Sequence, residues 1–182
     1  MNSSDGEELL KLARDSITSY FDKAEPDINN SQYSDKQGVF VTLHKNGELR
    51  GCIGFPEPIF PLNKAIVDAS RHAAFEDPRF PPVKKEELEQ IEIEMSILTV
   101  PQLLEVKNPD EYLDKIRIGT DGLIIRNSFA SGLLLPQVAT EQKWDALEFL
   151  DYVCLKAGLP QGAWKDLNNK IYTFQAEIFS EN

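Results

Sequence analysis

Leu49-Arg50-Gly51-Cys52-Ile53-Gly54 gathers in six residues a thiol, a guanidinium and two glycines. A cysteine reacts as its thiolate, which a neighbouring cation favours. Arginine grips carboxylates and phosphates through paired N–H groups. Glycine inside a strand marks a bulge or a close approach by backbone or ligand, and N–H groups around glycines can hold anions. The motif therefore reads as a site where Arg50 binds an anionic group, Cys52 reacts, and Gly51 and Gly54 line the cleft. The competing reading is structural: cysteine is among the residues most often buried, and Arg50 has many acidic side chains to pair with.

Four further residues carry the same two-sided reading. His72 lies beside an apolar helical stripe and serves either as a base or as a structural histidine. Asp77 and Arg79 sit in Asp77-Pro78-Arg79-Phe80-Pro81-Pro82, where the prolines stiffen the chain, so they form either a fixed polar corner of a cleft or a salt bridge anchoring the loop. Cys154, at helical spacing between Leu150 and Ala157, reads as core. No C-x-x-C pair or H-E-x-x-H helix is present, so no metal site is expected, and no cofactor is specified. The absence of G-x-S-x-G, P-loop and G-x-G-x-x-G patterns argues against a serine hydrolase, an NTPase and a dinucleotide enzyme.

Elements that must position these residues follow from periodicity. Ser4 and Glu7 form a capping box ahead of Leu9, Ala13, Ile17 and Phe21, predicting a helix over 5–23. A polar loop is expected over 25–36. Val39 to His44 and Glu48 to Ile53 flank Asn46-Gly47, the signature of a tight hairpin. Regular pairing sets Val41 opposite Cys52 and sends His44 and Cys52 to opposite faces; both faces are apolar, so the hairpin should be central in its sheet. A helix follows from Pro61, carrying Leu62, Ala65, Ile66, Ala69 and Ala73. Glu86–Gln90 reads as a short helix and Ile91–Ile97 as a half-buried strand. Downstream, a short helix capped by Asn108 precedes a hairpin of 116–118 with 123–125. Then come a Leu133–Leu135 strand, a helix capped by Thr140 and closed by Gly158, and a last strand over 171–179 with Tyr172, Phe174, Ala176 and Ile178 on one face.

The chain of 182 residues has a formal net charge of −11, which works against nucleic acid and anionic membrane surfaces. No apolar run reaches a bilayer-spanning length, and no basic region followed by an apolar stretch opens the sequence. Two cysteines are too few for a disulfide framework, so the expectation is a cytoplasmic protein with free thiols. Hairpins interspersed with helices predict an α+β fold with antiparallel sheets and flanking helices.

The run Gly38 to His44 with Leu49 to Gly54 resembles the AMMECR domain family, which includes component A of the bacterial AmmeMemoRadiSam system. The resemblance continues through Asp77 to Val83, Ser96 to Thr99, Gly119 to Leu123, Gly132 to Ala139 and Cys154 to Pro160, nearly the whole chain. It implies a single domain of two unequal lobes in one compact unit, with a smaller lobe around 105–140. It also implies partnership with a Memo-like protein and a radical-SAM protein, but names no reaction. Two functions are then in view: an enzyme or enzyme subunit acting on a small anionic substrate at the Arg50–Gly54 motif, or a non-catalytic module docking such a partner.

Overall fold

A computed structural model describes residues 3–26, 28 and 31–181. The elements are, in order, α1 (Ser3–Phe21), β1 (Gly38–Lys45), β2 (Glu48–Phe55), α2 (Leu62–Phe75) and β3 (Ile91–Leu98). These are followed by β4 (Gln102–Leu103), α3 (Glu111–Lys115), β5 (Gly122–Arg126), β6 (Ser131–Leu134), α4 (Pro136–Gln142), α5 (Ala146–Lys156), β7 (Lys170–Phe174) and β8 (Ala176–Ser180). Two compact units result, one drawn from the chain up to Leu98 with Glu177 onward, the other from Thr99–Ala176, a span that contains residues 105–140.

The first unit is a four-stranded sheet in the order β2-β1-β3-β8, with antiparallel β1–β2 and β1–β3 ladders. Side chains alternate along its middle strands: Val39, Val41, Leu43, Ile91, Ile93, Met95 and Ile97 are buried in one core with residues of α1 and α2. Phe40, Thr42, His44, Glu92, Glu94 and Ser96 take the other face, as β1 pairs with β3 without interruption. The helix at Pro61 forms as expected, its stripe Leu62, Ala65, Ile66, Ala69 and Ala73 buried and Pro61 at its N-cap. The first helix starts earlier than the capping box predicts and already includes Ser4. In the 25–36 segment, Asp27, Asn29 and Asn30 fall outside the described residues, whereas Ser31–Tyr33 make a 3-10 turn. Tyr33 is buried there, its hydroxyl donating to Glu8 at 2.9 Å.

The hairpin is present but not central. β1 is interior and β2 is the sheet edge, because two apolar faces say nothing about which backbone edge is paired.

The second unit holds a sheet in the order β4-β7-β5-β6 around a core that includes Tyr112, Leu123, Phe149, Leu150, Cys154 and Trp164. Here local signals mislead in four places. Asn108 does not cap α3; its side chain donates to Glu111 Oε1 at 2.8 Å, and the helix begins at Glu111. Residues 116–118 are not a strand, since Asp121 accepts from Arg117 N–H at 3.0 Å and folds the segment into a turn; β5 instead pairs with β6. Thr140 lies inside α4, and left-handed Lys143 (φ 58°) breaks the chain before Asp145 and Glu148 make the real capping box of α5. The last strand is two strands in two sheets, divided at Gln175, whose N–H donates to Thr99 Oγ1 at 2.8 Å, so Tyr172 and Phe174 do not share one sheet face with Ala176 and Ile178. Gly158 closes α5 as expected, with φ +74°. No helix of the described residues is long and apolar enough to cross a membrane.

Candidate functional site

The turn residues Asn46 (φ 54°) and Gly47 (φ 81°) set the hairpin tightly, pairing Lys45 with Glu48 and His44 with Leu49. The register then shifts between Leu43 and His44, so Leu43 pairs with Gly51 and Arg50 is the extra residue of a bulge. Beyond it every side chain of β2 changes face relative to regular pairing. Cys52 lies opposite Thr42, not Val41, and shares a face with His44; the expected separation of His44 from Cys52 is thereby overturned.

Arg50 turns to Glu87: its Nε lies 3.3 Å from Oε1 and its Nη2 donates to Oε2 at 3.1 Å, while Lys45 Nζ donates to Oε1 at 2.9 Å. The side chain is only 11% exposed, and its Nη1 is buried without a partner among the described residues. Its anion-gripping atoms are thus engaged by a carboxylate of the same unit. Those bonds from Arg50, with smaller contributions from Lys45 and the Lys84 N–H, hold the Glu87 carboxyl down to about 2. A depressed pKa stabilises the fold above the ordinary carboxylate value near 4.5, and that stability is lost as pH falls toward 2. Urea unfolding of the wild type should therefore lose about 3 kcal/mol more stability between pH 5 and 2 than Glu87→Gln does. Equal losses would show that the triad does not hold the Glu87 carboxyl down.

Both glycines of the motif make room for protein. A Cβ on Gly51 would stand 2.2 Å from the Ala73 carbonyl oxygen of α2; one on Gly54 would stand 2.4 Å from the Val39 carbonyl oxygen and within 2.6 Å of the Phe40 ring. The close approach inferred from the sequence is real, and its partner is helix and strand backbone.

Asp77 and Arg79 meet β2 at Cys52. Asp77 is 3% exposed. Its Oδ2 accepts from the Cys52 N–H at 2.9 Å and from Arg79 Nη2 at 2.7 Å, and its Oδ1 accepts from Arg79 N and Nε at 3.1 and 3.0 Å. Arg79 Nη2 also donates to the Cys52 carbonyl at 3.1 Å. An acid and a base thus stand where a neighbouring strand would pair with the sheet edge. Because both main-chain groups of Cys52 turn away from β1, Cys52 and Thr42 form the closer kind of antiparallel pair, and the Thr42 hydroxyl donates to the Cys52 Sγ at 3.3 Å. The Arg79 guanidinium holds the Asp77 carboxyl well below the usual carboxylate range against the opposing effect of burial. Arg79 is itself raised, chiefly by bonding to Asp77.

Cys52 is half-buried, and the Arg79 side chain is 54% exposed. His72 is elsewhere: its ring centroid lies 6.1 Å from that of Phe55, whose side chain points to the face opposite Cys52, and its Nε2 is 3.7 Å from Glu76. Cys154 is sealed in the second unit, its thiol pushed up by burial. No group of three His, Cys, Asp or Glu arranged to hold a metal occurs among the described residues. Thr42 and Glu87 were not singled out from the sequence: Thr42 reaches Cys52 only through the bulge, and Glu87 is one glutamate in an acidic run.

Two antiparallel four-stranded sheets with helices packed on them, and a cysteine clamped at the edge of one, define an α+β protein of two units. The chain belongs to the AMMECR1 family, whose model matches residues 10–179. It is 49% identical to a protein of Methanothermobacter thermautotrophicus over 100% of this chain and 97% of that one. It is 51% identical to a protein of Methanopyrus kandleri, over 97% of this chain and 88% of that one. The crystal structure of an uncharacterized protein from Pyrococcus horikoshii superposes with a TM-score of 0.88 at 46% identity, covering 100% of this chain and 94% of that one.

Proposed function

We propose that this protein is an enzyme, or a subunit of one, that acts in the cytoplasm on a small anionic substrate through Cys52. The observation that carries the reading is the clamp on Cys52, whose N–H and C=O are both held by the Asp77–Arg79 pair while the residue stays half-buried. Fixing the backbone on both sides fixes the thiol's position, the preorganisation a nucleophile needs. Arg79 Nε and Nη2 face Asp77 and Cys52, leaving Nη1 without a protein partner among the described residues and able to hold an anion. In this reading Arg79 takes the anion-binding part first assigned to Arg50, and Arg50 with Glu87 secures the bulge that turns Cys52 toward Thr42 and His44.

Competing alkylation tests both halves of the reading. Iodoacetate and iodoacetamide each form a carbon–sulfur bond at Cys52, releasing iodide and giving the thiol proton to buffer; they differ in charge. Cys52 should be modified in the folded protein while Cys154 is spared, with iodoacetate favoured over iodoacetamide relative to a free small thiol. Arg79→Gln should lower that preference severalfold. A Cys52 inert until unfolding would sink the enzyme reading and leave the alternative, docking on a Memo-like or radical-SAM partner through exposed Arg79.

A further inference from the structure

The second unit contains a cavity of about 500 Å³ whose lining includes Leu104, Val106 and Leu167, with Lys107, Lys170 and Tyr112. Its volume lies in the usual range of roughly 300–1,000 Å³ for small-molecule sites, and its lining sets these apolar side chains beside the charged groups Glu105, Lys107, Glu111, Lys115 and Lys170. Tyr112 is 2% exposed, and its hydroxyl makes no hydrogen bond to a described residue; burial alone raises its pKa. Tyr112 is one of the residues that line the cavity. A phenol buried to this degree ordinarily has a hydrogen-bond partner.

The charges at the cavity point to the partner's sign. Three lysines, Lys107, Lys115 and Lys170, line it with two carboxylates, Glu105 and Glu111, and Glu111 is already taken by Asn108 at 2.8 Å and by Lys115 at 3.8 Å. Lys115 also donates to the Glu105 carbonyl at 2.6 Å. Lys107, Lys170 and Glu105 form no ion pair among the described residues, which leaves two cations against one carboxylate in the lining. We propose that this cavity is a second binding site, independent of Cys52, for an organic anion with an apolar body. The body lies against Leu104, Val106 and Leu167, Lys107 and Lys170 neutralise the anionic oxygens, and the Tyr112 hydroxyl bonds to a polar atom of the ligand.

The test is an amide NMR titration of the full chain with octanoate, octyl phosphate and octylammonium. Both anions should give saturable shifts at Leu104, Val106, Tyr112, Leu167 and Lys170 and none along β2; the tighter of the two assigns the head group as carboxylate or phosphate. Lys107→Gln with Lys170→Gln should weaken anion binding about tenfold, and Tyr112→Phe about threefold, with the dispersion of the spectrum unchanged. Octylammonium binding as well as octanoate, shifts that never saturate, or full affinity in the folded lysine variant would each overturn the proposal.

Discussion

Gly51→Ala is expected to destabilise the protein by about 3–4 kcal/mol, at the upper end for adding a single methyl group. The added Cβ would stand 2.2 Å from the Ala73 carbonyl oxygen, and the obstacle is helix backbone, which cannot rotate aside as a side chain can. Relief requires either the end of α2 or the strand carrying Cys52 to move, and both belong to the same packed core. Gly47→Ala is the control, since nothing lies within 4 Å of its Cβ and only its φ of +81° opposes a side chain. That strain is worth about 1 kcal/mol. Urea midpoints of the two variants separate the effects. A Gly51→Ala protein within about 1 kcal/mol of the wild type would mean that α2 and β2 are not rigidly apposed.

Asp77→Ala should be the next most damaging change, at about 2–4 kcal/mol. The carboxylate is buried and satisfies the Cys52 N–H together with three Arg79 donors, so its loss leaves a strand-edge donor without its acceptor. Arg79→Ala should cost less, about 1 kcal/mol, because its side chain is 54% exposed and solvent takes over part of its role. Exchange of the Cys52 amide gives the local readout: protection should fall sharply in Asp77→Ala and far less in Arg79→Ala. Equal protection in all three proteins would show that the carboxylate does not hold the edge. The pH dependence has a definite sign. Asp77 is depressed by Arg79, so its stabilisation is present above the ordinary carboxylate value near 3.8 and is lost only as pH falls well below it.

The elements with local causes could be read from the residues alone. Asn46-Gly47 made the hairpin, the stripe from Leu62 to Ala73 made α2, and alternation from Ile91 to Ile97 made β3, because turn chemistry and side-chain periodicity act over a few residues. The residues also carried the family and the α+β class, through several ordered blocks spread along the chain. Asp77 and Arg79 were legible as a pair, because the prolines around them announce a shaped loop. What that pair holds depends on contacts with β2, far away in the chain. The bulge at Arg50 is invisible in periodicity, since an alternating strand reads the same in either register, yet it moves Cys52 from the side of Val41 to that of Thr42 and His44. Likewise, the division of residues 171–179 between two sheets leaves their alternation undisturbed, and the bonds that fix it come from Thr99, more than seventy positions earlier in the chain. Hydrophobic pattern specifies which residues seek burial; which edge is paired, and by what, is set by contacts between segments distant in sequence.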